Sequence, residues 1–247
     1  MRPFFALLRR ELLSMVISPF LWGLLAAWFA LNGLFFLFIL DSPMIQNDLS
    51  LLPSFLFGSG LLVWLLLPSF PPLLTLRLFA EEHRLGTLEP LLTAPIRDIQ
   101  VILAKYVAVC LFFLVFWGGV FALFLFLASA GAPMPWGAIA GGLLGALLTS
   151  FLFLATGMFA SAWGGNLVLA AGGGAAMNYA LLFLPELLQG SPGLAGEIAR
   201  SIHLTQFLDT TFSAGVLDTY PLVYLLATTV FFLYLTWVRL ASRRWLP

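Results

Sequence analysis

The side chains scarce enough to mark chemistry in this chain are two histidines, His83 and His203, one cysteine, Cys110, and one lysine, Lys105. A hydrolytic triad or a metal centre needs several such groups converging on one point. An odd number of apolar stretches separates His83 from His203, which puts the two on opposite sides of a membrane, and Cys110 lies within an apolar run. A disulfide framework and a cysteine-rich metal site are both excluded. Lys105 is not preceded by the glycine-rich loop that cradles phosphates, so the chain is not itself a P-loop ATPase. An ion-coupled transporter would need a titratable side chain within the membrane. The apolar stretches hold none, since Glu186 and Arg77 lie near their ends. No catalytic, cofactor-binding or metal-binding residue is expected.

The elements that position the remaining polar groups are strongly apolar. Of 247 residues, 62% are hydrophobic and 9% are charged, and the mean hydropathy is +1.04. A soluble globular chain carries about 25% charged residues, so this composition cannot cover a water-exposed surface. The 11 basic and 11 acidic side chains cancel, which speaks against nucleic acid as a partner. A membrane-crossing helix needs about 20 apolar residues. Charge-free runs broken by turn signals predict an all-α integral membrane protein with six spans, at about 20–40, 55–76, 106–129, 136–161, 167–188 and 220–238. Pro68, Pro71 and Pro72 predict a kink in the second. Between the spans lie a loop at 77–105 and, on the other side, a longer segment at 189–219.

Basic residues orient the bundle. With six spans, Arg2, Arg9, Arg10, Arg77, Arg84, Arg97, Lys105, Arg239, Arg243 and Arg244 share one side and Arg200 alone takes the other. Positive residues stay inside, which predicts two cytoplasmic termini. Phe5, Leu8, Leu12, Met15 and Val16 recur at helical spacing ahead of Ser18-Pro19. They predict an amphipathic helix at 1–18 on the inner membrane surface, with a plain extension of the first span as the alternative. The first apolar run is too long for a cleaved signal and is expected to be retained. Gly137, Gly141 and Gly145 recur every four residues, a stripe for close helix packing within the chain or against a second copy. Gly172, Gly173 and Gly174 either admit a bulky neighbour or loosen their helix.

The loop at 77–105 holds the densest charge. Leu85, Leu88 and Leu92 share one helical face there. The pattern Glu81-Glu82, Gly86-Thr87, Glu89, Leu91-Leu92, Pro95 and then Lys105-Tyr106 resembles the permease subunits of ABC-2 type exporters. Arg10-Glu11-Leu12 with Ser18-Pro19 is similar to that family's entry helix. His203 to Asp218, with Phe207, Gly215, Val216 and Asp218, looks like the outer segment of the gliding-motility-type branch.

The resemblance implies a transmembrane permease, energised by separate cytoplasmic ATPase subunits that hold the ATP and Mg, and paired with a second permease chain, identical or related. It makes the loop a coupling element, with Glu81, Glu82, Leu85, Gly86, Thr87, Leu88, Glu89, Leu91, Leu92 and Pro95 as candidate ATPase contacts. The alternative for the loop is a solvated connector. The alternative for the whole chain is a subunit that relays ATPase motion to an extracytoplasmic accessory protein without moving a solute.

Overall fold

The computed structural model describes residues 2–58, 60, 62–87, 97–163 and 166–242, which are helical with no strand among them. Helix α1 (Arg2–Ile17) ends at Ser18, and Pro19 opens α2 (Pro19–Leu40) at the first helical position, where a missing N–H is harmless. After a series of short pieces come α3 (Leu67–Leu76), α4 (Asp98–Ser129), α5 (Trp136–Ser161) and α6 (Leu167–Leu188). The chain closes with α7 (Leu194–Ser201), a π-helical turn at Phe207–Phe212, and α8 (Thr219–Ser242). Among the described residues five helices are long and apolar enough to cross a membrane: α2, α4, α5, α6 and α8.

Helix α5 is the centre of the bundle. It buries 61% of its most apolar stretch inside the protein, against 22–28% for α2, α6 and α8. Small residues make this possible, because without a driving force between apolar helices in lipid, packing depends on close backbone approach. A Cβ on Gly145 would lie 2.5 Å from the Phe212 ring, and one on Gly142 would lie 2.6 Å from Phe57. One on Gly141 would run into the Phe212 carbonyl oxygen, and one on Gly157 into Thr75 and Pro72. A Cβ on Gly137 meets nothing within 4 Å; that residue is approached instead by Gly215, whose own Cβ position would be 3.1 Å from the Gly137 carbonyl carbon. The partners of the stripe are thus segments of this same chain. Of the three consecutive glycines in α6, a Cβ on Gly174 would sit 3.0 Å from Pro72, while Gly172 and Gly173 face open space.

A second knot is aromatic. Trp28 of α2 is fully buried with edge contacts to Phe70, Phe113, Phe116 and Trp117 at centroid distances of 5.0–5.8 Å. Its indole donates to the Phe116 carbonyl at 3.1 Å, and Trp117 donates to Ser150 at 2.9 Å. Both ring N–H groups therefore have partners in an apolar interior, as burial requires.

The stretch at 54–76 is where the structure departs most from a simple span. In place of one kinked helix there are π-helical turns at Ser54–Gly58 and Leu62–Leu66 followed by the ten-residue α3. Pro72 has no N–H to give the Pro68 carbonyl four residues earlier. Asn178 of α6 replaces it, donating to Pro68 at 3.0 Å while its own carbonyl accepts from Thr156. Tyr179 donates to the Leu65 carbonyl at 3.0 Å and meets Ser69 at 2.8 Å. The broken backbone is thus satisfied by side chains of the neighbouring helix, the condition under which irregular backbone survives at membrane depth.

Gly141→Leu and Gly145→Leu should each lower stability by about 1–3 kcal/mol through overpacking, while Gly137→Ala should be neutral. Thermal unfolding of the detergent-purified chains checks this, and equal melting of Gly137→Ala and Gly145→Leu would contradict the packing described.

Candidate functional site

Three segments far apart in sequence meet at the end of the bundle that carries Arg10, Arg77 and Lys105. Helix α1 turns Leu7, Glu11 and Met15, spaced by four, toward α4. The spacing puts all three on one face, so the Glu11 carboxylate enters an otherwise apolar stripe. Lys105, inside α4 between buried Ala104 and Ala108, points back at it and is 1% exposed. The third partner is Glu82, which opens the short helix Glu82–Arg84. The Lys105 Nζ lies 2.8 Å from Glu82 Oε1 and 3.1 Å from Glu11 Oε1, above the Phe79 ring at 5.6 Å. An ammonium removed from water needs such partners, because an unpaired buried charge is strongly destabilising.

The cluster holds two carboxylates for one ammonium. Burial pushes the Glu82 carboxyl above its ordinary value of 4.5, with Glu11 adding to the rise and Lys105 and Arg10 opposing it. Its second oxygen, Oε2, is buried without a hydrogen-bond partner among the described residues. A second clasp lies beside the first. Arg77 donates to the Ser18 hydroxyl at the break between α1 and α2, lies 3.5 Å from Glu81, and stacks over Phe20 at 4.6 Å. Between the two clasps is a cavity of about 290 Å³, lined in part by Arg10, Ser14, Glu81 and Thr87.

From this anchored base the chain projects an exposed apex. A π-helical turn at Arg77–Glu81 leads into Glu82–Arg84. Gly86 then stops the helix with φ +69°, a left-handed conformation that favours glycine. The Gly86 N–H donates to the His83 carbonyl at 3.2 Å and the Thr87 N–H to the Glu82 carbonyl at 3.0 Å, which closes the paired C-terminal cap. His83, Arg84, Leu85, Gly86 and Thr87 are exposed, Leu85 at 63%.

Of the candidate contact residues, the structure brings Leu85, Gly86 and Thr87 together on this apex. Glu81 is half turned to Arg77, and Glu82 faces inward to Lys105. Leu88, Glu89, Leu91, Leu92 and Pro95 lie outside the described residues. Sequence reasoning missed the Glu11, Lys105 and Glu82 cluster. Its signals were an acid in register with Leu7 and Met15 and a lone lysine flanked by alanines. At the opposite end, His203 caps a helix: its Nδ1 accepts the Gln206 N–H at 3.3 Å, and its Nε2 is 2.9 Å from Glu186.

Lys105→Met would leave Glu11 and Glu82 buried without a cation and should destabilise by about 3–5 kcal/mol. Because the folded Glu82 value is raised, its contribution to stability is full below pH 4.5 and is lost as pH rises through the folded value. The melting temperature of Glu82→Gln should therefore fall less than that of the unmodified chain as pH is raised from 4.5 toward neutrality. Parallel profiles would show that Glu82 is not perturbed.

None of the curated proteins compared matches the chain. Residues 7–170, which carry Glu11, Glu82 and Lys105, match the ABC-2 family transporter protein family. Covering 164 of 247 residues (170 − 7 + 1), that match makes the chain a member of the ABC-2 family, whose membrane domain is a transport permease and not a catalytic one.

Proposed function

We propose that the chain is the permease subunit of an ATP-driven exporter and that a separate cytoplasmic ATPase, which binds the ATP and Mg, docks on the apex at 83–87 and the residues that follow it. The observation that carries this reading is an exposed leucine and a glycine-terminated helix held outward on a charged, anchored base. A protruding apolar side chain ringed by His83, Arg84 and Thr87 suits a docking groove, with an apolar anchor inside a polar rim. Glu82 serves the base of this apex from within.

In the same reading the 54–76 stretch is the sixth crossing. What supports it is burial of Leu56, Phe57, Leu67, Phe70 and Leu74 among the long helices. Both termini then lie in the cytoplasm of an inner-membrane protein, on the side favoured by its basic residues. Helix α1 rests in the headgroup layer, where exposed Phe5, Leu13, Val16 and Ile17 suit lipid and Arg9 and Arg10 suit phosphates. A second permease chain completes the path, and the segment from His203 to Asp218 favours the gliding-motility-type branch.

Leu85→Asp should reduce ATPase copurification in mild detergent by about tenfold or more, the effect of losing roughly 1.4 kcal/mol or more at a docking anchor, while membrane levels stay unchanged. Unaltered copurification and ATP hydrolysis would make the apex a passive connector. ATP-dependent solute movement in vesicles distinguishes export from force relay to an outer partner. In a Cys110→Ala background, new cysteines at the exposed Asp48 and Glu197 should react with an impermeant thiol reagent from outside, whereas one at Arg84 should not. Labelling at Arg84 in intact cells would overturn the orientation.

A further inference from the structure

We infer that Lys105 is a positioning residue for coupling: through its two carboxylate partners it carries displacement of the apex sideways into α1 and α4. The inference rests on the reading of the apex as the ATPase contact. Among the described residues two routes lead inward from that apex. One follows the chain itself, back through the π-helical turn at Arg77–Glu81 into α3, where Pro71 and Pro72 have removed backbone N–H donors and side chains of α6 close the gap. That route is compliant, because its hydrogen-bond ladder is already interrupted. The other route passes through Glu82 to Lys105 and on to Glu11, at 2.8 Å and 3.1 Å.

Displacement along the second route works against a buried ion pair. Pulling Glu82 away would break its 2.8 Å contact with the Lys105 ammonium, which is 1% exposed, and leave that ammonium with Glu11 alone as its carboxylate among the described residues. The alternative is for α1 and α4 to move with the apex. Because Gly86 ends the helix with both cap hydrogen bonds made, residues 82–87 form one closed turn that carries Glu82 at its base. The Arg77 contact with Ser18 adds a tie at the point where α1 passes into α2. Such a clamp need not open during the cycle; it has to hold in both states.

The two arms can be cut separately without stranding a charge in excess. Glu82→Leu leaves Lys105 paired with Glu11, and Glu11→Leu leaves it paired with Glu82. Each variant, purified with its ATPase and reconstituted in liposomes, should retain ATPase copurification yet lose permease-stimulated ATP hydrolysis by about fivefold or more, the lower end of ordinary site-to-site coupling. A merely structural role would not alter motion, so a second readout follows it. Spin labels at Phe5→Cys and Leu187→Cys in a Cys110→Ala background, both at exposed positions, should change separation on vanadate trapping with ATP in the unmodified chain. The change should be absent in both arm variants.

Normal stimulation and normal label movement in a Glu82→Leu complex would overturn the clamp while leaving the proposed function standing. Should Glu82→Leu fail to assemble, Glu11→Leu decides on the same readouts, since it leaves the apex-side pair intact. If the unmodified chain captures no ATPase, the proposed function fails, and the clamp with it.

Discussion

An ammonium group with almost no exposed surface constrains everything near it. Lys105 sits in a helix whose next charged neighbour along the chain toward the C-terminus is Glu186, and its charge is tolerable only because two carboxylates are delivered to it. Delivery sets the local architecture. Helix α1 must turn its Leu7, Glu11 and Met15 face to α4, and the chain leaving α3 must bend so that Glu82 points back into the protein while Leu85 stays largely exposed. One excess negative charge is left in the cluster, and burial answers it by raising the Glu82 carboxyl.

The same logic of satisfying groups away from water governs the middle of the bundle. Pro72 in α3 leaves the Pro68 carbonyl oxygen without its helical donor and Asn178 of α6 supplies one, while Tyr179 of α6 adds a donor to the Leu65 carbonyl. These polar side chains can reach only because α5 is thin where it passes α3, with Gly157 against Pro72 and Thr75, and because Gly174 lets α6 approach the same proline. Small residues, broken backbone and buried amide therefore form one arrangement.

A firm base and a yielding segment behind it give the apex mechanical meaning. A hydrogen bond ties Arg77 to Ser18 and an ion pair ties Glu82 to Lys105, which also holds Glu11, whereas the path through α3 depends on hydrogen bonds from a neighbouring helix. In an ABC-2 permease, whose membrane domain is not a catalytic one, geometry of this kind is what the chain would bring to the ATPase docking proposed above.

Much of the fold was legible in the sequence because lipid allows few solutions. Long charge-free runs bounded by Asp41-Ser42-Pro43, by Gly131 to Pro135 and by Arg239 can only be helices when every backbone group must find an internal partner. The Gly141 and Gly145 stripe announced close packing for the same reason. The sequence left open what the glycines touch, since one helix's periodicity says nothing of its neighbour; Phe212, some seventy residues later, becomes the partner only through the fold of the segment between α6 and α8. It likewise could not break the 54–76 stretch into short turns, because the side chains that make those turns tolerable belong to another helix. Glu11, Glu82 and Lys105 looked like an entry-helix residue, a surface contact and the end of a loop. Charge pairing over such separations is decided by which faces meet in three dimensions, and only the tertiary structure determines that.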